Sequence, residues 1–78
     1  MSKVIVYSTN SCPWCVKAKD FLKQNKIEYT EHNVAEDPKA LQDMEEKSGQ
    51  RGVPVIDISG TIIVGFDRDA IKAALKLK

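Results

Sequence analysis

Seventy-eight residues leave room for one domain, residues 1–78, and exclude two separately cored domains. Hydrophobic residues make up 42% and charged residues 29%, which is ordinary for a globular domain and too apolar for a disordered chain. Twelve basic residues against eleven acidic ones give a net charge of +1, no electrostatic footprint for nucleic acid or an anionic membrane.

In chain order, Lys3–Tyr7 reads as a short, β-branched, buried strand. Ser8–Ser11 is a loop of turn and cap residues. A helical pattern begins at Cys12, with Pro13 in the first turn, where its missing N–H is no loss. Val16, Ala18, Phe21 and Leu22 give its apolar stripe, and Gln24–Lys26 ends it. Ile27–Asn33 alternates apolar and polar residues, as a half-buried strand does. Asp37-Pro38 caps and opens a second helix to Ser48, with Leu41 and Met44 inward and Gly49 as the stop. Pro54–Ser59 and Thr61–Val64 are two strands joined at Ser59-Gly60, a hairpin. Asp67–Leu77 is a last amphipathic helix, with Ala70, Ile71, Ala74 and Leu75 inward and Lys72, Lys76 and Lys78 suiting its C-terminal dipole. The order is β-α-β-α-β-β-α, an α/β chain whose first β-α-β unit favours a parallel pair. The longest apolar runs, Val4–Tyr7 and Ile62–Val64, fall far short of the ~20 residues of a membrane span. No signal peptide follows Lys3, so the expected location is the cytoplasm and no membrane partner is expected.

The two cysteines form one C-x-x-C, Cys12-Pro13-Trp14-Cys15. A four-residue loop is a poor structural staple, stabilising by only ~1.9 kcal/mol in the chain-entropy model. Two cysteines and one histidine, His32, do not make a four-ligand zinc site, so no metal is expected. His32 itself reads as a solvated or edge residue on its strand. A C-x-x-C where a strand meets a helix in a β-α-β unit is a redox placement. The reacting species is the thiolate, only ~3% of an ordinary thiol at pH 7. The first turn of a helix aims free N–H groups and the positive dipole end at the sulfur of Cys12. Lowering its pKa to about 7 raises the thiolate fraction roughly sixteenfold but costs about fivefold in intrinsic nucleophilicity, so attack gains only about threefold. The low pKa therefore matters at least as much for Cys12 as a leaving group, and for redox poise. Cys15, three positions on, shares that helix end and is the more buried, resolving thiol. Trp14 between them offers a docking ring, and Lys17 a nearby helix charge.

Cys12-Pro13-Trp14-Cys15, Gly52-Val53-Pro54 and Gly65-Phe66-Asp67, in this order and in this element frame, resemble the glutaredoxin family over essentially the whole chain. The length and Ser48–Pro54 look most like the small bacterial glutaredoxin-like proteins. The Gly65-Phe66 turn is also similar to NrdH-redoxins, relatives that draw electrons from thioredoxin reductase and serve ribonucleotide reductase. The resemblance implies a thioredoxin-like fold: a four-stranded mixed sheet flanked by three helices. It implies a monomeric thiol–disulfide oxidoreductase that reduces protein disulfides or glutathione mixed disulfides, with no permanent cofactor and with glutathione as co-substrate. It makes Pro54 cis and facing the sulfurs, with Val53 presenting its backbone to a peptide or to glutathione. Gln50 and Arg51 would meet the glycine carboxylate of glutathione. Phe66 and Asp67, after Gly65, would hold its γ-glutamyl end, with Asp67 also a candidate helix cap. Pro13 and Trp14 complete the expected groove. Three positions depart from the family pattern: Thr9 stands where many members have lysine, Gly52 where they have threonine, and Arg68 where they have a second aspartate.

Overall fold

The computed structural model describes residues 3–75. Seven elements follow the expected order: β1 (Val4–Ser8), α1 (Pro13–Gln24), β2 (Thr30–Asn33), α2 (Pro38–Ser48), β3 (Val55–Ile58), β4 (Thr61–Val64) and α3 (Arg68–Leu75). The strands form one mixed sheet in the order β2-β1-β3-β4. The pair β1–β2 is parallel, joined through α1, with Tyr7 opposite His32. The pairs β1–β3 and β3–β4 are antiparallel.

The sheet divides the apolar core into two layers. On one face Val4, Val6, Ile56, Ile58 and Ile63 pack with Ala18 and Leu22 of α1 and Ile71 of α3. On the other, Tyr7, Val34 and Val55 pack with Ala40 and Met44 of α2. Strand alternation sends Val6 to the first layer and Tyr7 to the second, so one β-branched run serves both. The expected inward residues Met44 and Ile71 are fully buried, while Phe21, Leu41, Ala70, Ala74 and Leu75 lie at the margins of the layers.

Several expectations need correction. Val16 is 52% exposed rather than inward; the buried stripe of α1 is Cys15, Ala18 and Leu22. The cysteine takes the place given to valine, because a thiol packs as a small apolar group. Strand β2 starts at Thr30 rather than Ile27. Lys26 takes a left-handed φ of 57°, its N–H bonds to Lys23 O, and Ile27 N–H bonds to Leu22 O at 2.9 Å. This closing motif of α1 uses the donor that Ile27 would bring to a ladder. Strand β3 starts at Val55, one residue past Pro54, which has no N–H to give. Helix α3 is capped by Asp67, whose Oδ1 accepts Ala70 N–H at 3.1 Å. The expected residues Lys76, Leu77 and Lys78 of that helix lie outside the described residues. No helix among the described residues is long and apolar enough to cross a membrane.

Candidate active site

Strand β1 ends at Ser8, and the chain crosses a short loop to Cys12, the N-cap of α1. Asparagines anchor that loop: Asn33 Nδ2 donates to Asn10 Oδ1, and Val34 N–H reaches Ser8 O at 2.9 Å. Cys12 has extended backbone angles, φ −113° and ψ 102°, and Pro13 follows at the first helical position. Cys12 Sγ accepts Cys15 N–H at 3.1 Å, so sulfur stands where a serine or aspartate oxygen stands in an ordinary N-cap. Cys12 and Cys15 are joined as a disulfide, with Cα atoms 5.2 Å apart. The two sulfurs differ in access. Cys15 is fully buried under α1, whereas Cys12 is partly exposed.

A groove of about 260 Å³ is lined by Trp14, which stands between the two cysteines in the chain, and by Val53, Pro54, Gly65 and Phe66. Three chain segments meet there. The Val53–Pro54 peptide bond is cis. Gly65 N–H donates to Pro54 O at 2.8 Å and so ties the end of β4 to the start of β3. Gly65 holds φ +82°, a region that a side chain would make costly. Trp14 is 56% exposed and packs against Phe66, with ring centroids 6.5 Å apart; Phe66 in turn meets Phe21 edge-on at 5.9 Å. Lys17 Nζ lies 4.5 Å from the centre of the Trp14 ring. The helix charge of Lys17 therefore lies over the ring in a cation–π contact.

The structure gathers five of the expected groove residues and leaves three polar ones committed elsewhere. Gln50 bonds to Gly52 and Ser48, Arg51 Nε pairs with Glu45 Oε1, and Asp67 caps α3. Pro13 is exposed at the helix start, near Trp14 in sequence but outside the groove lining. His32 sits on the edge strand β2, half-buried and stacked on Tyr7 at 5.7 Å. Among the described residues, no three His, Cys, Asp or Glu side chains are grouped to hold a metal.

Two ionic clusters brace the sheet, and residue spacing alone pairs the members of neither. Glu31 Oε2 accepts from buried Ser8 Oγ and from Lys19 Nζ, each at 2.7 Å. The hydrogen bonds from Lys19 and Ser8 hold the Glu31 carboxyl below its ordinary range. On the other face, Lys47 Nζ donates to Tyr7 Oη and Asp57 Oδ2, each at 2.8 Å, and Gly60 N–H donates to Asp57 Oδ1, also at 2.8 Å. Burial pushes Asp57 up, but Lys47 and the Gly60 N–H outweigh it and leave the carboxyl below its ordinary value. The hydrogen bonds to Asp57 and Tyr7 raise Lys47. One signal was available in the sequence: Asp57 interrupts an otherwise apolar strand, Val55-Ile56-Asp57-Ile58.

The glutaredoxin family model matches residues 4–63. This chain belongs to the glutaredoxin family. It is 50% identical over 66 residues to an uncharacterized glutaredoxin-like 8.6 kDa protein in the rubredoxin operon of Clostridium pasteurianum, covering 85% of this chain and 88% of that one. A variant of the thioredoxin-like protein BC3987 superposes with a TM-score of 0.92 at 31% identity, over 100% of both chains. The glutaredoxin-like NrdH-redoxin of Escherichia coli shares the fold, with a TM-score of 0.83 at 24% identity over 91% of this chain and 92% of that one. With its C-x-x-C at the helix start, this member of the glutaredoxin family is a thiol–disulfide oxidoreductase.

Proposed function

We propose that the protein is a monomeric, single-domain, cytoplasmic dithiol oxidoreductase in which Cys12 is the nucleophile, Cys15 the resolving thiol and glutathione the co-substrate. The observation that supports these roles best is the unequal access of the pair: Cys12 is partly exposed at the N-cap, and Cys15 is fully buried behind it. An incoming disulfide can meet only the first. The Cys12 thiolate attacks one sulfur of a protein or glutathione mixed disulfide; that S–S bond breaks and the other sulfur leaves as a thiolate. The Cys15 thiolate then attacks Cys12 Sγ and releases the second substrate thiolate, leaving the Cys12–Cys15 disulfide. The substrate has gained two electrons and, once protonated, two protons. Two glutathione thiols return the same electrons and protons and leave as one glutathione disulfide. N–H donation to Cys12 Sγ favours the thiolate, the form that attacks in the first step and that leaves when the second glutathione attacks the glutathione sulfur of a Cys12 mixed disulfide.

The absence, among the described residues, of a charged side chain from the groove lining, with Arg51 Nε on Glu45 and Asp67 on the α3 cap, favours a second reading. In it, thioredoxin reductase reduces the pair and the electrons pass to ribonucleotide reductase, as in NrdH-redoxins. Acid-quenched intact-mass titration in graded glutathione buffers, repeated with Cys15→Ser, separates the two. A disulfide that glutathione reverses, with one glutathione trapped on Cys12 in the variant, supports the first. A disulfide that forms but resists glutathione and yields to thioredoxin reductase supports the second.

A further inference from the structure

In the loop between α2 and β3, Gln50, expected to meet the glycine carboxylate of glutathione, is held in another arrangement. Gln50 folds back on its own segment. Its carboxamide oxygen accepts Gly52 N–H, while Nε2 donates to Gly52 O at 3.0 Å and to Ser48 Oγ at 3.3 Å. Ser48 Oγ in turn donates to Met44 O at 2.6 Å, at the end of α2. A carboxamide offers one acceptor oxygen and two N–H donors, so these contacts occupy both of its ends. The arrangement depends on glycine. A Cβ on Gly52 would fall 2.7 Å from Gln50 Oε1 and 3.7 Å from its Cδ. The first distance is a clash, and the carboxamide, as the far end of a flexible side chain, is the group that would swing away.

We propose that Gln50 and Gly52 form a latch that withholds the Gln50 carboxamide from the groove and turns the site from small glutathione-like carboxylates towards disulfides in extended protein chains. This rests on the dithiol chemistry proposed above and makes glutathione a weaker co-substrate of it. A carboxylate ligand needs donors, and the two carboxamide N–H groups of Gln50 are spent on Ser48 and Gly52, while Arg51, with its Nε on Glu45, does not line the groove. What faces the groove is Trp14, Val53, Pro54, Gly65 and Phe66, apolar side chains and backbone that suit a peptide segment flanking a cystine. Any residue larger than glycine at position 52 opens the latch and frees Gln50 as a donor.

The test is a double-mutant cycle of Gln50→Ala and Gly52→Thr, read by two independent measurements. S-methylglutathione, which cannot exchange, is titrated into the ¹⁵N-labelled oxidised protein, and the Gln50 side-chain and Gly52 backbone amide signals are followed. In parallel, kcat and KM are measured for a glutathionylated peptide and for insulin. Gly52→Thr should tighten S-methylglutathione roughly tenfold, the scale of one hydrogen bond to a charged group. The kcat/KM ratio of peptide to insulin should rise in proportion, through KM. Adding Gln50→Ala should abolish that gain, and Gln50→Ala alone should move the dissociation constant by less than about twofold. A folded Gly52→Thr protein with no tighter binding overturns the proposal. So does a tenfold loss in Gln50→Ala alone, which would make Gln50 a direct ligand. Should Gly52→Thr fail to fold, Gly52→Ala and the Gln50→Ala arm still decide. An unmodified protein that reduced neither substrate would refute the oxidoreductase reading instead, while the amide signals would still report the latch.

Discussion

Replacing Asp57 by asparagine tests the ionic brace between α2 and the sheet. The Asp57 side chain is 11% exposed and that of Lys47 34%. Asparagine keeps an oxygen for Gly60 N–H but removes the charge that faces Lys47. Breaking a fully buried pair by removing one partner costs about 3–5 kcal/mol. Here Lys47 has a third of its side chain in water and can turn outwards, so a loss of about 2 kcal/mol is expected, near that of one hydrogen bond to a charged group. For a chain of 78 residues this corresponds to a fall in Tm of about 8–16 °C. The pH dependence follows from the depressed carboxyl. Asp57 binds its proton more weakly in the folded protein than in the unfolded chain. Its contribution is therefore whole above the ordinary value of 3.8 and is lost as pH falls through the lower folded value. Thermal unfolding followed by circular dichroism, for both proteins from pH 7 down to pH 2, should show the gap in Tm closing only in the acid range. A gap at pH 7 worth less than about 0.5 kcal/mol, or one that persists unchanged in acid, would refute the reasoning.

Three further outcomes follow from the same geometry. Trp14→Ala should lower kcat/KM for insulin reduction about tenfold with little change in Tm, since the ring is exposed and walls the groove; equal losses in both would mean that Trp14 is chiefly a packing residue. Asp67→Ala should cost about 1 kcal/mol in urea unfolding and Asp67→Ser much less, because serine also accepts an N–H at a helix start. If glutathione kinetics fall equally in both variants, the carboxylate serves the ligand as well as the cap. Leu22→Ala should cost about 2–5 kcal/mol, since Leu22 is fully buried where α1 meets the sheet; a loss below 1 kcal/mol in chemical denaturation would contradict that packing.

The sequence by itself determined the element order, the placement of the dithiol and the family. These are local or periodic properties: β-branched runs make strands, Pro13 and Asp37-Pro38 start helices, and Cys12-Pro13-Trp14-Cys15 is contiguous. The cap role of Asp67 was one of two readings that its position allowed, and Oδ1 on Ala70 N–H realises it. Where local signals misled, a tertiary contact had taken over. Val16 lies outward because Cys15 fills the apolar position beside it. Ile27 stays out of β2 because its N–H closes α1. The groove needed tertiary structure, since Trp14, Pro54 and Phe66 are distant in sequence and meet only when β3 and β4 pair beside α1. The same holds for the fate of the polar residues around it. A side chain such as Gln50, Arg51 or Lys47 bonds to whichever partner the fold brings within about 3 Å, and nothing in residue type fixes that partner beforehand.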